Sequence, residues 1–202
     1  MRTFLAVLVL IFSLQSWTRA DDISDFEIEG ISIGDSLLLY ASKQKIDEEM
    51  ITDYDSKKYS RFSFKEINSS PLKSYDDIQV HFKTNDRNYI IVSISGGIFN
   101  TNEFDKCLEK KEEVIKEISN IFTNSIINDI GTSAWLEADP SGKTITSQYF
   151  INLGSDYYVD YIEIACYDWG EEAGKKYNAS DSLKVAIIEK EFGKWLSEEA
   201  LD

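Results

Sequence analysis

The chain has 202 residues, which is the length of one domain or of two small ones. It carries 36 acidic against 21 basic side chains, and its formal net charge at pH 7 is −15. Such a surface repels nucleic-acid phosphates and anionic lipid head groups, so we expect no nucleic acid among its partners and favour cations or basic protein surfaces.

The first 20 residues have the pattern of a secretory signal peptide. Arg2 supplies a positive charge, an apolar run extends from Phe4 to Phe12, and the segment ends at the small residue Ala20. The apolar run has half of the roughly 20 residues of a membrane span, and no cysteine follows it as a lipid attachment site. We therefore predict cleavage after Ala20, export to the periplasm or the extracellular space, and no membrane anchor.

Helical and strand patterns alternate along the rest of the chain. In chain order they first predict helical structure over 37–40 and 42–50, as two short helices or one bent helix, followed by strands over 61–67, 78–83 and 89–95. A helix over 103–123, strands over 144–152, 158–167 and 183–188, and a short C-terminal helix that carries Phe192, Trp195 and Leu196 follow. The segment 124–133 has no clear pattern. Paired strands interspersed with helices favour one α+β domain over 21–202, in which an antiparallel sheet has helices packed on one face as a two-layer sandwich.

Two features of the 78–95 hairpin concern its surface. Gly96-Gly97 follows the second strand, and we expect this pair to close the hairpin. In the first strand, Ile78, Val80 and Phe82 alternate with His81, which is therefore expected to lie on the solvent face.

The two cysteines are predicted to form a disulfide. Cys107 lies on the apolar stripe of the 103–123 helix, and Cys166 shares a strand face with Ile162 and Ile164, so both point into one core. An exported protein with an even cysteine count favours a bond between them. Two buried free thiols and a reactive thiol are the alternatives.

No catalytic motif is visible. The one histidine, His81, has no second candidate base for a serine triad, and the separated cysteines do not have the spacing of a zinc site. We predict no cofactor and no catalytic residue. Because the chain is rich in carboxylates, a hydrolase that uses two of them across a cleft remains an alternative.

Acidic residues cluster at two places that could gather oxygen ligands around calcium. Asp53 and Asp55 form one cluster, and Asp168, Glu171 and Glu172 form the other. Neither cluster has the alternating acids and the glycine of an EF-hand loop, so we expect a solvated face and no metal site, with a calcium binder as an alternative.

The segment after the 158–167 strand is the best candidate for a recognition surface. Aromatic and acidic side chains are mixed here at a strand end, where loops often carry function. Exposed Tyr and Trp favour interfaces and sugar-like ligands. The candidate residues are Tyr167, Asp168, Trp169, Glu171 and Glu172.

Three segments carry a resemblance to known proteins: FEIEGISIGDSLL, IVSISGGIF and IACYDW. Together they resemble a group of small, uncharacterised exported (periplasmic) proteins of marine bacteria. The chain is also loosely similar in fold to outer-membrane assembly lipoprotein and β-lactamase-inhibitor domains, where an IG-x-S/T helix start precedes a small antiparallel sheet. The resemblance implies a periplasmic setting and brings no activity, cofactor or catalytic residue with it.

The sequence thus predicts a periplasmic binding or protein-interaction module without catalysis. Its expected partner is an envelope protein or a small ligand.

Overall fold

The structure is a computed structural model, and it describes residues 23–52, 57–67, 70–99, 103–122, 125–156 and 158–200. The predicted signal peptide and the acidic pair Asp53 and Asp55 lie outside these residues.

Eleven strands and four α-helices make up the described part of the chain. The strands are β1 (Glu27–Ile28), β2 (Ile31–Ser32), β3 (Tyr59–Phe64), β4 (Glu66–Ile67), β5 (Ser70–Pro71), β6 (Asp77–Lys83), β7 (Ile91–Phe99), β8 (Ile126–Ala134), β9 (Ile145–Asn152), β10 (Tyr161–Asp168) and β11 (Ser182–Ile188). The helices are α1 (Lys43–Glu49), α2 (Phe104–Ser119), α3 (Glu171–Tyr177) and α4 (Lys190–Glu198), with short 3-10 turns at Ile23–Asp25 and Leu37–Leu39.

Seven of the strands form one antiparallel sheet in the order β3-β6-β7-β11-β10-β9-β8. With the helices that pack against it, the sheet gives the α+β two-layer architecture that the sequence predicts. The two helices predicted before β3 are also present, the first as a 3-10 turn capped by the Ser36 hydroxyl and the second as α1, capped by Ser42.

The main core lies between α2 and one face of the sheet. Alternate residues of β10 and β11, such as Ile164 and Val185, are fully buried there. Cys107 on α2 is joined to Cys166 on β10, with Cα atoms 5.9 Å apart. This disulfide ties the helix to the middle of the sheet, as the apolar faces of both elements predict.

The C-terminal helix α4 packs on the opposite face and covers one end of it. Trp195 and Phe192 are buried against Tyr59, with ring centroids 4.7 and 4.9 Å from the tyrosine ring. The same helix covers His81, whose ring centroid is 4.7 Å from that of Phe192. The prediction that His81 faces solvent was therefore wrong: the alternation identified its face of the sheet correctly, but that face is covered here.

One further local expectation is corrected, and the segment without a predicted element is assigned. Gly96 and Gly97 lie inside β7 and do not close the hairpin, and a Cβ on Gly96 would overlap the Tyr75 ring. The unassigned segment 124–133 contributes most of β8, an edge strand whose residues are exposed or half-buried throughout. Because β8 has no buried side, it lacks the alternation by which strands are recognised.

Candidate functional site

The second face of the sheet is polar where α4 does not cover it. Successive side chains of a strand point to opposite faces of the sheet, so those that do not enter the main core lie on this second face. They come from neighbouring strands: Arg61 from β3, Asp77 and Gln79 from β6, and Lys184 from β11. With Gly97 of β7, they form the floor of an open cavity of about 340 Å³, which we call the groove.

Hydrogen bonds connect the floor on its β3–β6 side. Arg61 Nη1 donates to Gln79 Oε1 at 3.3 Å, and Gln79 Nε2 donates to Asp77 Oδ2 at 3.0 Å. Among the described residues, the other carboxylate oxygen of Asp77, Oδ1, is buried without a hydrogen-bond partner. A buried acceptor of this kind is costly unless something donates to it.

On the other side of the floor, Glu163 of β10 lies behind Lys184. It accepts hydrogen bonds from Lys184 Nζ at 3.1 Å, from the Tyr167 hydroxyl at 3.1 Å and from Gln148 Nε2 at 3.3 Å. Glu163 is buried, whereas the Lys184 side chain is 37% exposed and lines the groove. The carboxylate is thus held in place by three donors, and the Lys184 side chain that pairs with it is partly exposed in the groove.

The surroundings shift the ionisation of two groups here. Burial alone would lower the pKa of Lys184, but the Glu163 carboxylate and Tyr167 outweigh this and hold it above the ordinary value, so the side chain stays a cation. Burial, and then the charge of Glu163, raise the pKa of the Tyr167 hydroxyl, which stays a neutral donor.

Four aromatic side chains border the floor and form what we call the aromatic wall: Trp135, Tyr167, Trp169 and Tyr177. Neighbouring ring centroids in it are 5.5 to 6.1 Å apart, and the rings of Tyr167 and Trp169 are nearly parallel. Tyr167 is only 8% exposed, while Trp135 and Trp169 are half-buried and Tyr177 is 46% exposed. The wall therefore presents apolar ring surface to the groove.

A turn after β8 fixes the position of the wall. Asp139 accepts hydrogen bonds from the backbone and hydroxyl of both Ser141 and Thr144. The hydrogen bond from Ser141 is the main reason that the pKa of Asp139 is lowered to about 2. The Thr144 hydroxyl oxygen accepts from the Gly170 amide at 3.0 Å, and Asp181 accepts from the Trp169 amide at 2.8 Å. These bonds join the loops that carry Trp135 and Trp169.

The structure places the predicted recognition residues in two groups. Tyr167 and Trp169 belong to the wall. Asp168 is half-buried and does not line the groove, and burial, followed by the nearby Asp181 charge, raises its pKa. Glu171 and Glu172 are exposed in the first turn of α3, where Glu171 pairs with Lys175.

Sequence reasoning missed the floor and Trp135. A signal was present: Glu163 and Lys184 are single charges inside otherwise apolar strand segments, YIEIACY and SLKVAII. Their alternation identifies the outward face, but the strand order that brings Arg61, Asp77 and Lys184 together is a property of the fold.

The described ranges contain no group of three or more His, Cys, Asp or Glu side chains that could hold a metal ion. Within the same ranges, no helix is long and apolar enough to cross a membrane.

No family model matches the chain, and neither a curated protein nor a solved structure is significantly similar to it. The fold class is therefore stated from the structure alone, as an α+β antiparallel sandwich with a groove on the open sheet face.

Proposed function

We propose that this protein is an exported binding module that works without catalysis and that its binding site is the groove. One observation carries the proposal: apolar ring surface and a hydrogen-bonding polar floor border the same cavity on the open face of the sheet. Ligand sites are concave, with apolar walls and a few placed polar groups that fix orientation. The aromatic wall and the residues Arg61, Asp77 and Lys184 fit that description.

The setting that we propose is the bacterial periplasm. The predicted leader and the resemblance to exported proteins of marine bacteria support it. The disulfide between Cys107 and Cys166 is compatible with export, because disulfides persist in oxidising compartments.

The polar network favours binding over turnover. Glu163 is held by three hydrogen bonds, and the partner that lies nearest the groove, Lys184, stays protonated. Fixed charges of this kind orient a ligand, whereas a general acid or base must exchange its proton during the reaction.

A carboxylate-based hydrolase that uses Asp77 of the groove is the second candidate. Its supporting observation is that Asp77 lines the cavity and that its buried Oδ1 atom has no hydrogen-bond partner among the described residues. This candidate predicts that a bound ligand is cleaved and that Asp77→Asn abolishes cleavage.

Native mass spectrometry tests the proposal. The protein is expressed with its leader, purified from periplasmic extract, and measured under native and denaturing conditions beside a Trp169→Ala variant. We expect extra mass on the native wild-type protein that disappears on denaturation and is reduced in the variant. Equal extra mass on both proteins, or a bare wild-type protein, would contradict a ligand site in the groove. Ligand fragments in place of the intact ligand would favour the hydrolase.

A further inference from the structure

The groove has features that select a chemical class of ligand. We propose, as a step that rests on the proposed function, that the ligand is an uncharged carbohydrate. Its sugar ring would pack on the aromatic wall, and its hydroxyls would bond the floor.

The charges of the groove floor balance one another. The floor contains two cations, Arg61 and Lys184, and two anions, Asp77 and the Glu163 that lies behind it. Opposite charges this close cancel in the field that a ligand meets, so neither an anion nor a cation gains a net attraction from the groove itself. An anion is further disfavoured by the net charge of −15 on the whole chain.

The floor of the groove presents both hydrogen-bond donors and hydrogen-bond acceptors. Donors on Lys184 and Gln79 stand beside acceptors on Asp77, so a ligand group that both donates and accepts can use both kinds. A hydroxyl is such a group. Asp77 lines the groove, and Oδ2 is the only one of its two carboxylate oxygens with a hydrogen-bond partner among the described residues, so the carboxylate has acceptor capacity left for a ligand donor.

The aromatic wall suits the apolar face of a sugar ring. A sugar ring has an apolar C–H face that can pack flat on an aromatic ring, and Trp135 and Trp169 offer half-buried ring surface beside the floor. A cationic ligand could also use ring faces, but Lys176 Nζ already lies 4.6 Å from the Tyr177 centroid. The Tyr177 ring therefore already has a cation beside it and offers a second ammonium group less.

The cavity size limits the ligand. At about 340 Å³, the groove is near the lower end of the range for small-molecule sites. A cavity of this volume suits one or two sugar units better than it suits the surface of a folded protein.

The test is a panel of defined saccharides added to the mature protein. The panel contains glucose, galactose, mannose, N-acetylglucosamine and their disaccharides. Glucuronate and glucosamine are added as the charged analogues of glucose. Binding is followed by calorimetry and by tryptophan fluorescence. We expect at least one neutral saccharide to bind saturably, and the matched charged analogues to bind at least tenfold more weakly.

Variants locate the binding. Trp169→Ala and Asp77→Asn should each weaken saccharide binding at least tenfold, while Trp195→Phe, which alters a buried ring of α4 that does not line the groove, should leave it unchanged. Thermal melting of each variant verifies that it is folded, and Asp77→Asn, which keeps the shape of the side chain, remains informative if Trp169→Ala does not fold.

Three results separate the two proposals. Tighter binding of a charged analogue, or saccharide binding that survives both groove variants, would overturn the carbohydrate assignment. If no saccharide binds while native mass spectrometry still finds a ligand that Trp169→Ala loses, the carbohydrate assignment fails and the proposed function stands. If no saccharide binds and the wild-type protein is bare, both fail.

Discussion

Lys184 of β11 and Glu163 of β10 form an ion pair of 3.1 Å across two adjacent strands, although neither residue is directly opposite the other. In the strand register, Lys184 faces Ala165 and Glu163 faces Ala186. The two long side chains therefore meet along a diagonal, over small alanines that leave room for them. This arrangement keeps one charge buried and offers the other to the groove.

The first prediction concerns this pair. Lys184→Met removes the only cation that pairs with Glu163 among the described residues and leaves a buried carboxylate with neutral donors alone. We expect a loss of about 2 kcal/mol in the free energy of unfolding, less than for a fully buried pair because Lys184 is partly exposed. Urea denaturation at pH 7 measures it.

The double variant Glu163→Gln/Lys184→Met is the control. Since it removes both charges, it should be more stable than Lys184→Met alone. The free energy of unfolding lost through Glu163→Gln is compared in the wild-type protein and in the Lys184→Met variant. If the loss is the same in both, the two side chains do not interact.

The second prediction is a pH dependence that arises at His81. Burial, followed by the charges of Lys184 and Arg61, lowers the pKa of His81 to about 3, against about 6.5 in an unfolded chain. The unfolded state therefore binds the proton more readily, so this stabilisation is complete above pH 6.5 and is lost as the pH falls toward 3. We expect a loss of about 1 kcal/mol per pH unit across that window.

The comparison with His81→Gln isolates this effect from the titration of the many carboxylates. The free energy of unfolding of both proteins is measured in urea at pH 7, 5.5 and 4.5. The value for the wild-type protein minus that for the variant should become smaller as the pH is lowered. A difference that stays constant would mean that the His81 ring is protonated in the folded protein as easily as in solution.

The third prediction concerns the disulfide. Cys107 and Cys166 are separated by 59 residues, and closing a loop of that length stabilises the folded state by about 4 kcal/mol in the chain-entropy model. Reduction of the wild-type protein should lower its melting temperature. The variant with both cysteines changed to alanine should melt at a similarly low temperature and should not respond to reductant. Alkylation of the native protein without reductant would show instead that the thiols are free.

The sequence was sufficient for those parts of the fold in which one side of an element is buried. Ile162, Ile164 and Cys166 alternate with outward residues, and that alternation predicted both the strand and the cysteine pairing. It could not predict what covers the outward side, which is why His81 was misplaced, because the position of α4 depends on tertiary packing. It also could not predict β8, which has no buried side.

The candidate site was predicted in part for the same reason. Tyr167 and Trp169 are close in sequence and stand out as aromatic residues beside acids. Arg61, Asp77 and Lys184 come from strands that are far apart in the chain and become neighbours only through the order β3-β6-β7-β11. A single sequence does not specify this order.

The last prediction uses two adjacent glycines that face opposite sides of the sheet. Gly97 is opposite Lys184 and lines the groove, and a Cβ there would meet only the Phe99 ring, at 3.4 Å. Gly96 faces the main core, where a Cβ would overlap the Tyr75 ring. Gly97→Val should therefore fill the groove without loss of stability, since valine favours strands. Gly96→Ala should destabilise the protein by about 1 to 3 kcal/mol through overpacking, and its groove should remain open.

The melting temperature and the ligand mass from native mass spectrometry measure both effects. If Gly97→Val retains the ligand as well as the wild-type protein does, the ligand is bound outside the groove. If Gly96→Ala loses the ligand while it is still folded, the shape of the groove depends on packing in the main core, and the two faces of the sheet are coupled.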